Sequence, residues 1–179
     1  DECPAGGAPR DVVHAATERS LRWGARALAA RTRGDQAVFG IVQGGIDLAL
    51  RAESARATVA LGFDGYALGG LSVGEPREAT WAVAAATAPL LPAGRPRYFM
   101  GTGTPEDLIR LAAAGIDLFD CVLPTRHARN GALFTSDGVV VLRHAAYTTD
   151  PRPADECCPC YTCARFSRGT IRHLVMARE

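Results

Sequence analysis

The stretch "RPRYFMGTGTPEDLIRLAAAGIDLFDCVLPT" (Arg95–Thr125) decides the fold class, because a strand, a helix and a second strand follow one another within it. Its two apolar segments, "RPRYFMGTG" and "GIDLFDCVLPT", have the composition of strands buried on both faces. The helix between them has legible ends, with Thr104 as N-cap, Pro105 at the first helical position, Asp107 three residues after the cap, and Gly115 closing it. The stretch therefore predicts two parallel strands joined by a helical crossover.

Two similar apolar segments lie earlier in the chain, "AVFGIVQGG" (37–45) and "DGYALGGLSVGEP" (64–76). Between them, Leu50, Ala57 and Leu61 fall on one face of a helical pattern that runs from Leu48 to Gly62. Strands and helices that alternate at intervals of about 20 to 30 residues predict an α/β fold with a parallel sheet.

A doubly wound sheet and a (β/α)8 TIM barrel both satisfy this pattern. No G-x-G-x-x-G follows the first strand, and "GTGTPED" lacks the third glycine and the downstream acid of a dinucleotide site. The glycines, Gln43 and Asp120 all follow strands, where a barrel has its active site. We therefore predict the second half of a TIM barrel, about four βα units, over residues 1–131. Residues 132–179 are predicted to form a hairpin around Asp137-Gly138, followed by part of a metal-binding subdomain.

Composition limits the classes of protein that fit. A chain of 179 residues with 47% hydrophobic and 22% charged residues can bury one sizeable core. No apolar run approaches the roughly 18 to 20 residues of a membrane helix, and no signal peptide pattern is present, so no membrane contact and a cytoplasmic location are expected. Because the sequence opens on Asp1 and stops at Glu179 within a helical pattern, we expect a piece of a longer protein.

Charge is distributed unevenly, although the formal net charge is only +1. All 20 basic residues are arginine, which we interpret as a genome composition bias; residues 1–120 hold 12 of them against 14 acids, whereas 121–179 hold 8 against 5. Thr125, Arg126 and Arg129 follow the last strand on a predicted turn that a phosphate or sugar could occupy, although a solvated loop is the simpler interpretation.

The cysteine spacing C-x-C-x-x-C at Cys158, Cys160 and Cys163 favours metal binding, most simply zinc, because three thiolates can converge on one cation in a tight turn. Disulfides are the poorer interpretation in a cytosolic chain, and packed or redox-reactive thiols are the alternative. A tetrahedral site needs a fourth ligand, and neither Cys157 nor His173 has a convincing spacing for it.

Polar groups that follow the strands predict a ligand site. Gln43 precedes two glycines, so an amide side chain and open backbone face the same space, and Gly69-Gly70 lets backbone N–H groups approach a planar ligand. Asp120, between Phe119 and Cys121, is costly in a buried strand unless it is paired or catalytic. Asp117 is the rival carboxylate.

Taken in order, "FGIVQGG", "DGYALGGLSVGEP", "MGTGTPEDL", "GIDLFDCVLPTRHARNGALFT" and "CPCYTCARFSR" closely resemble the tRNA-guanine transglycosylase (queuine tRNA-ribosyltransferase) family, and the match runs from Asp1 to the chain end. The resemblance points to the bacterial branch. It implies exchange of the wobble guanine of GUN-anticodon tRNAs for 7-aminomethyl-7-deazaguanine through a covalent aspartyl-ribosyl intermediate, in queuosine biosynthesis. It also implies a pentosyltransferase that needs no nucleotide or redox cofactor.

The resemblance also implies roles for single residues. Asp120 matches the family's catalytic nucleophile, and the matches to its base-binding residues are Asp1, Gln43, Gly70, Leu71 and Met100. Two segments match its contacts to the tRNA anticodon loop, and we predict the same role for their residues: Gly101, Thr102, Gly103, Thr104, Pro105, Glu106, Asp107, Thr125, Arg126, His127, Ala128 and Arg129.

The remaining implications concern metal and missing parts. Cys158, Cys160 and Cys163 match three ligands of a structural Zn²⁺, whose fourth ligand, a histidine, is expected after residue 179. The family's general acid/base belongs to an "SGGFQ"-type motif that is absent here, so the chain as given is expected to be inactive. A homodimer is expected at full length. Two rivals stay open, a non-catalytic zinc-stabilised tRNA-binding accessory subunit and an archaeosine-type transglycosylase.

Overall fold

The computed structural model describes residues 1–179 as two compact units, Asp1–Cys121 and Val122–Glu179. The division falls ten residues before the predicted domain boundary at residue 131. The segment that follows Cys121 belongs with the hairpin because it forms a helix whose His127 ring packs on Phe134 of the hairpin, with ring centroids 5.0 Å apart. The predicted turn at Thr125–Arg129 was therefore wrong, since these residues are helical.

The first unit is a parallel sheet with helical crossovers. Its strands pair in the order β1-β2-β3-β4, and each pairing is parallel. This arrangement confirms the predicted mixed α/β class with a parallel sheet. In chain order the elements are α1 (Arg10–Ala29), β1 (Phe39–Val42), α2 (Leu48–Ala60), β2 (Gly65–Leu68), α3 (Arg77–Thr87), a short 3-10 helix (Ala88–Leu90), β3 (Arg97–Phe99), α4 (Pro105–Ala113) and β4 (Leu118–Phe119).

Helix α4 begins where the sequence predicts. The Thr104 side chain accepts a hydrogen bond from the backbone N–H of Asp107, and the Asp107 side chain accepts one from the backbone N–H of Thr104, which together form a capping box. Helix α2 begins in a comparable way, because Asp47 accepts hydrogen bonds from the N–H groups of Ala49 and Leu50.

The core lies between the sheet and helices α2 to α4. Phe99 and Leu111 are fully buried there, together with Leu68 and Phe63. Burying each such side chain contributes about 1.5–3 kcal/mol. The sheet therefore packs against a hydrophobic core, which holds its strands and their ends in place.

Two burial predictions were wrong. Only β2 is buried along its whole length; β4 is an outer strand, so Leu118 is 46% exposed. On α2 the buried positions are not the predicted apolar set of Leu50, Ala57 and Leu61. Leu50 is buried and Leu61 packs against the core partly buried, but the other buried positions are Arg51, Ser54, Ala55 and Thr58. Arg51 and Ser54 are buried because they bond to backbone groups at the end of β1, whereas Ala55 joins the core.

The second unit consists of short elements around a two-stranded antiparallel sheet. The predicted hairpin around Asp137-Gly138 is present, with Thr135 paired to Gly138 and Ala132 to Val141. The elements are α5 (Leu123–Arg129), β5 (Ala132–Thr135), β6 (Gly138–Val141), a 3-10 helix (Ala145–Tyr147), α6 (Tyr161–Arg165) and α7 (Arg168–Ala177). None of the helices in either unit has the length and apolar character required to span a bilayer.

Candidate active site

The carboxyl ends of the four parallel strands meet at one edge of the sheet. Gln43 follows β1, Gly69-Gly70 follows β2, Met100 follows β3 and Asp120 follows β4. Parallel pairing places the ends of successive strands side by side. The fold therefore brings together the strand-end residues that the sequence singled out.

The Gln43 side chain is buried at this edge and bonds to the chain start. Its Nε2 donates to Oδ2 of Asp1 at 2.6 Å, while its Oε1 is buried and accepts no hydrogen bond within the chain. A buried amide oxygen without a donor is costly, so it is suited to accept an N–H from a ligand. Asp1 itself is exposed, which leaves carboxylate oxygen free for a second donor.

Gly70 must be glycine for two reasons. Its φ is +65°, in the left-handed region, and a Cβ atom there would lie only 2.2 Å from Oε1 of Gln43. The backbone at this turn therefore lies directly against the amide of Gln43. Leu71, the next residue, buries its side chain in the core, so only its backbone can face a ligand.

Two charged residues that the sequence analysis missed fix this turn. Arg51 is 1% exposed and donates to the carbonyl oxygens of Val42, Gly45 and Gly70 at 3.0, 2.8 and 3.2 Å. Burial lowers the pKa of Arg51 to about 10, so the guanidinium remains charged at neutral pH. A stripe of small residues on α2, at Ser54, Ala55 and Thr58, was the available signal that this face lies tightly against the sheet.

Glu75 is the second of these residues. Its carboxylate accepts hydrogen bonds from the backbone N–H groups of Ser72 and Val73 and from Oγ1 of Thr80. Burial disfavours the charged form, but the hydrogen bonds from Thr80 and Ser72 outweigh it and hold the pKa of Glu75 below its usual range. The loop that follows Gly70 is thus anchored by an anion. A cavity of about 120 Å³ adjoins it and is also lined by Gly45 and Gly70.

Asp120 is exposed rather than buried, which corrects the premise on which the sequence singled it out. Its Oδ1 accepts hydrogen bonds from the hydroxyl of Tyr98 at 2.5 Å and from the backbone N–H of Gly101 at 2.9 Å. The Tyr98 bond, followed by the Gly101 bond, lowers the pKa of Asp120. The result is an ionised carboxylate that is fixed in direction and open to solvent, as a nucleophile requires. Tyr98 was not identified from the sequence.

Asp117, the rival carboxylate, lies at the opposite end of β4. Its side chain accepts a hydrogen bond from the backbone N–H of Arg97 at 2.8 Å, and its own N–H donates to the carbonyl of Arg97. It therefore stabilises the entry into the strand pair and lies away from the edge that presents Gln43 and Asp120.

Hydrogen bonds from side chains hold the segment Gly101–Asp107 in place. Side chains of the segment itself already cap the N-terminus of α4, which begins within it. Thr102 is buried and its hydroxyl bonds to that of Ser72 at 2.5 Å. Asp107 accepts hydrogen bonds from Thr104, from Arg77 at 2.8 Å and from the indole of Trp81 at 2.9 Å. These bonds outweigh the effect of burial and lower the pKa of Asp107. The first turn of α4 thus already has its own anion.

The second predicted tRNA-contacting segment forms helix α5 in the other unit. Thr125, Arg126 and Arg129 are exposed there, and no residue of α5 is buried. His127 faces Phe134 instead, and its Nδ1 is buried without a partner. Both arginine heads therefore remain available to a partner.

The three predicted metal ligands converge. The sulfur atoms of Cys158, Cys160 and Cys163 all lie within 4.8 Å of one another, whereas Cys157 and His173 are outside this group. Thiolates on one tetrahedral zinc, at Zn–S distances near 2.3 Å, lie about 3.8 Å apart, so the spacing suits such an ion. The backbone N–H of Cys163, followed by the neighbouring thiols, lowers the pKa of Cys160. The cluster could thus bind a metal ion.

Fold and site together define a mixed α/β protein with a polar site at the carboxyl edge of a parallel sheet and a separate thiol cluster. The family model described as queuine tRNA-ribosyltransferase matches residues 1–179, and the chain belongs to that family. This result confirms the resemblance found in the sequence.

Curated relatives agree with this membership. The chain is 55% identical to a queuine tRNA-ribosyltransferase of Solidesulfovibrio magneticus over 181 aligned positions, 53% identical to one of Bacillus licheniformis, and 51% identical to one of Nitrosomonas europaea. Each alignment includes all of this chain but only 47–48% of the relative. The chain thus spans about half the length of these relatives.

Proposed function

We propose that this chain contributes the base-exchange site of a tRNA-guanine transglycosylase that replaces the wobble guanine of GUN-anticodon tRNAs with 7-aminomethyl-7-deazaguanine. The observation on which the proposal rests most is the oriented, ionised Asp120 at the same sheet edge as the Gln43–Asp1 pair. Membership of the queuine tRNA-ribosyltransferase family supports the same assignment.

Asp120 would act as the nucleophile. Its carboxylate oxygen attacks the anomeric carbon of the ribose, the bond from that carbon to the guanine ring nitrogen breaks, and the bond's electron pair leaves with guanine, which takes up a proton. The enzyme then holds the RNA as a ribosyl ester. In the second half the incoming base attacks the same carbon, loses its proton and releases the carboxylate. A general acid and base are required for these proton transfers.

The purine would be read by matched donors and acceptors. Asp1 and the unpaired Oε1 of Gln43 are acceptors for the N–H groups of a guanine edge, and the backbone N–H of Gly70 is a donor for its carbonyl oxygen. The remaining Nε2 hydrogen of Gln43 can also donate. The backbone carbonyl of Leu71 and the half-buried Met100 would complete the pocket. A wrong base would leave such groups unpaired, at about 1–3 kcal/mol each.

The tRNA would contact two segments. Gly101–Asp107 lies next to Asp120 through the Gly101 N–H, and the exposed Arg126 and Arg129 of α5 offer charged forks for phosphates of the anticodon loop. Since the first turn of α4 already has Asp107 and Glu106, contacts there would use hydroxyl and backbone groups. The target nucleotide must leave its stack to reach the sheet edge.

Zinc would have a structural role in the second unit. Three thiolates at a spacing that suits one ion leave one coordination position for a fourth ligand. When bound, the ion would fix the Cys158–Cys163 loop. Further parts of the proposal are that the parallel sheet is the second half of a TIM barrel, that the complete protein is a cytoplasmic homodimer, and that it uses no redox or nucleotide cofactor.

A trapping experiment tests the proposal directly. The complete gene product that contains residues 1–179 is mixed with an anticodon stem-loop RNA and free base, then denatured and separated on a gel. An enzyme of this kind leaves a covalent protein–RNA adduct that maps to Asp120. A protein that binds the RNA but forms no adduct and incorporates no labelled guanine would be a non-catalytic accessory subunit, and the proposal would be wrong.

A further inference from the structure

Arg51 holds together the backbone of three segments that meet at the sheet edge. Its guanidinium donates to Val42 at the end of β1, to Gly45 in the turn after it, and to Gly70 in the turn after β2. The first two carbonyls flank Gln43 in the chain, and the third belongs to the glycine that lies against the Gln43 amide. One side chain therefore joins both halves of the proposed purine site.

The bond to Gly70 restricts the peptide that leads into Leu71. With its carbonyl oxygen engaged by a charged donor, that peptide plane cannot rotate without breaking a charge-assisted hydrogen bond. On the other side, Glu75 holds the N–H groups of Ser72 and Val73. The segment from Gly70 to Val73 is thus held between a buried cation and an anion.

The choice of arginine follows from geometry. The three carbonyl acceptors lie around the planar guanidinium, whose Nε, Nη1 and Nη2 each donate one hydrogen bond to one of them. A lysine has three donors on a single nitrogen and cannot reach three carbonyls spread in this way. No carboxylate bonds to Arg51, so its hydrogen-bonding capacity is directed at the backbone of the site.

We propose that Arg51 is a positioning residue for base recognition, which presets the Gln43 amide and the Gly70–Leu71 backbone without touching the base or the ribose. The proposal rests on the proposed function, because it assigns the purine to this edge. Asp120 is held by a different set of groups, Tyr98 and Gly101. Loss of Arg51 should therefore affect base binding far more than the formation of the ribosyl ester.

The test compares Arg51→Lys and Arg51→Met with a matched control, Arg168→Lys, in the complete gene product. Arg168 is also buried, at 7% exposure, and donates to the backbone carbonyls of Pro153 and Ala154, but it lies in the second unit. Steady-state exchange of labelled guanine gives KM for the base and kcat, and titration calorimetry gives the dissociation constant of guanine. Thermal melting identifies any variant that does not fold.

We expect Arg51→Lys to raise KM and the dissociation constant for guanine by about 10- to 100-fold, the cost of one misplaced hydrogen bond to a charged group, and to change kcat less than about threefold. Arg168→Lys should leave both constants within about twofold. If Arg51→Met does not fold, the lysine variant alone decides.

Two outcomes overturn the proposal, and each has a distinct meaning. In the first, the wild type exchanges guanine, but Arg51→Lys leaves KM for guanine unchanged or changes KM and kcat in the same way as Arg168→Lys does. This result would leave the proposed function intact and assign Arg51 a purely structural role. A wild type that neither exchanges nor binds guanine would refute the proposed function together with the role of Arg51.

Discussion

The two units differ in what holds them together. Asp1–Cys121 has a continuous cluster of buried apolar side chains under its sheet, whereas in Val122–Glu179 the buried apolar residues are only Val140, Leu142 and Ala154. Buried polar groups add to the second unit, where Asp150 accepts two hydrogen bonds from the Arg152 guanidinium and Arg168 donates to backbone carbonyls. A small unit with so little core generally needs a metal or cross-link.

This difference bears on where each unit can carry unpaired polar groups and exposed charged side chains without losing its fold. The first unit is stabilised by its hydrophobic core, so it tolerates an unpaired Gln43 oxygen and a solvent-facing Asp120 at the carboxyl ends of its strands. In the second unit, a metal ion on the proposed site at the thiol cluster would help to keep the chain folded. We therefore expect changes at the sheet edge to remove activity with little loss of stability, and changes at the cysteines to do the reverse.

The largest effect is expected from Asp120→Asn. The change removes the proposed nucleophile, so guanine exchange by the complete protein should fall on the order of 10³-fold or more and the covalent RNA adduct should disappear. Because Asp120 is exposed, the melting temperature should barely move. Asp117→Asn is the matched control at the other end of β4, and an adduct that survives Asp120→Asn but not Asp117→Asn would reverse the assignment.

Cys160→Ser should destabilise the second unit and leave the stability of the first unit unchanged. We expect loss of one equivalent of zinc by native mass spectrometry and destabilisation of residues 122–179 by several kcal/mol, since metal binding energy is folding energy in such sites. Limited proteolysis should then cut after Cys121 and spare the sheet. Cys157→Ser, outside the sulfur group, should keep its metal. Equal metal content and equal protease resistance in both variants would contradict the metal site.

Tyr98→Phe, in the first unit, should alter the pH dependence of guanine exchange by the complete protein. The Tyr98 hydroxyl lowers the pKa of Asp120, so the carboxylate stays ionised to a lower pH than an ordinary aspartate. Without that donor the pKa rises, and the acid limb of kcat/KM should move to higher pH. Exchange near neutral pH should fall less than about tenfold. Tyr66→Phe, in the core, is the control. If the acid limb of kcat/KM does not move in Tyr98→Phe, the Tyr98 hydroxyl does not set the pKa of the carboxylate on which exchange depends.

The smallest effect is expected from Asp107→Asn, which weakens the capping box and the bond to Arg77. The free energy of unfolding should drop by about 1–2 kcal/mol at neutral pH. The pKa of Asp107 is lowered in the folded state, so its contribution is present above the pKa of an unfolded aspartate and is lost as pH falls through the lowered value. The wild type and the variant should thus converge in acid. Glu106→Gln, at the surface, is the control in denaturant titrations.

Local patterns in the sequence predicted the strands, the crossover, the α4 capping box and the hairpin correctly, because each depends on residues close in the chain. The resemblance to the family was confirmed over the whole chain. The helix at Leu123–Arg129 was missed, since "LPTRHAR" has no apolar periodicity and forms its helix against Phe134. The face of α2 was misjudged because Arg51 and Ser54, which are polar, are buried there by hydrogen bonds to the backbone at the end of β1 and to the turns after β1 and β2.

The sequence by itself determined the order of elements, the family and the identity of the groups that can do chemistry, because composition and short-range spacing are properties of the chain alone. Only the tertiary structure decided that Arg51 would bond to three carbonyls, that Tyr98 would orient Asp120, and that Asp120 would face solvent. These contacts join residues 6 to 22 positions apart whose proximity depends on how the strands pair. No local pattern specifies which side chain meets which backbone group across a sheet.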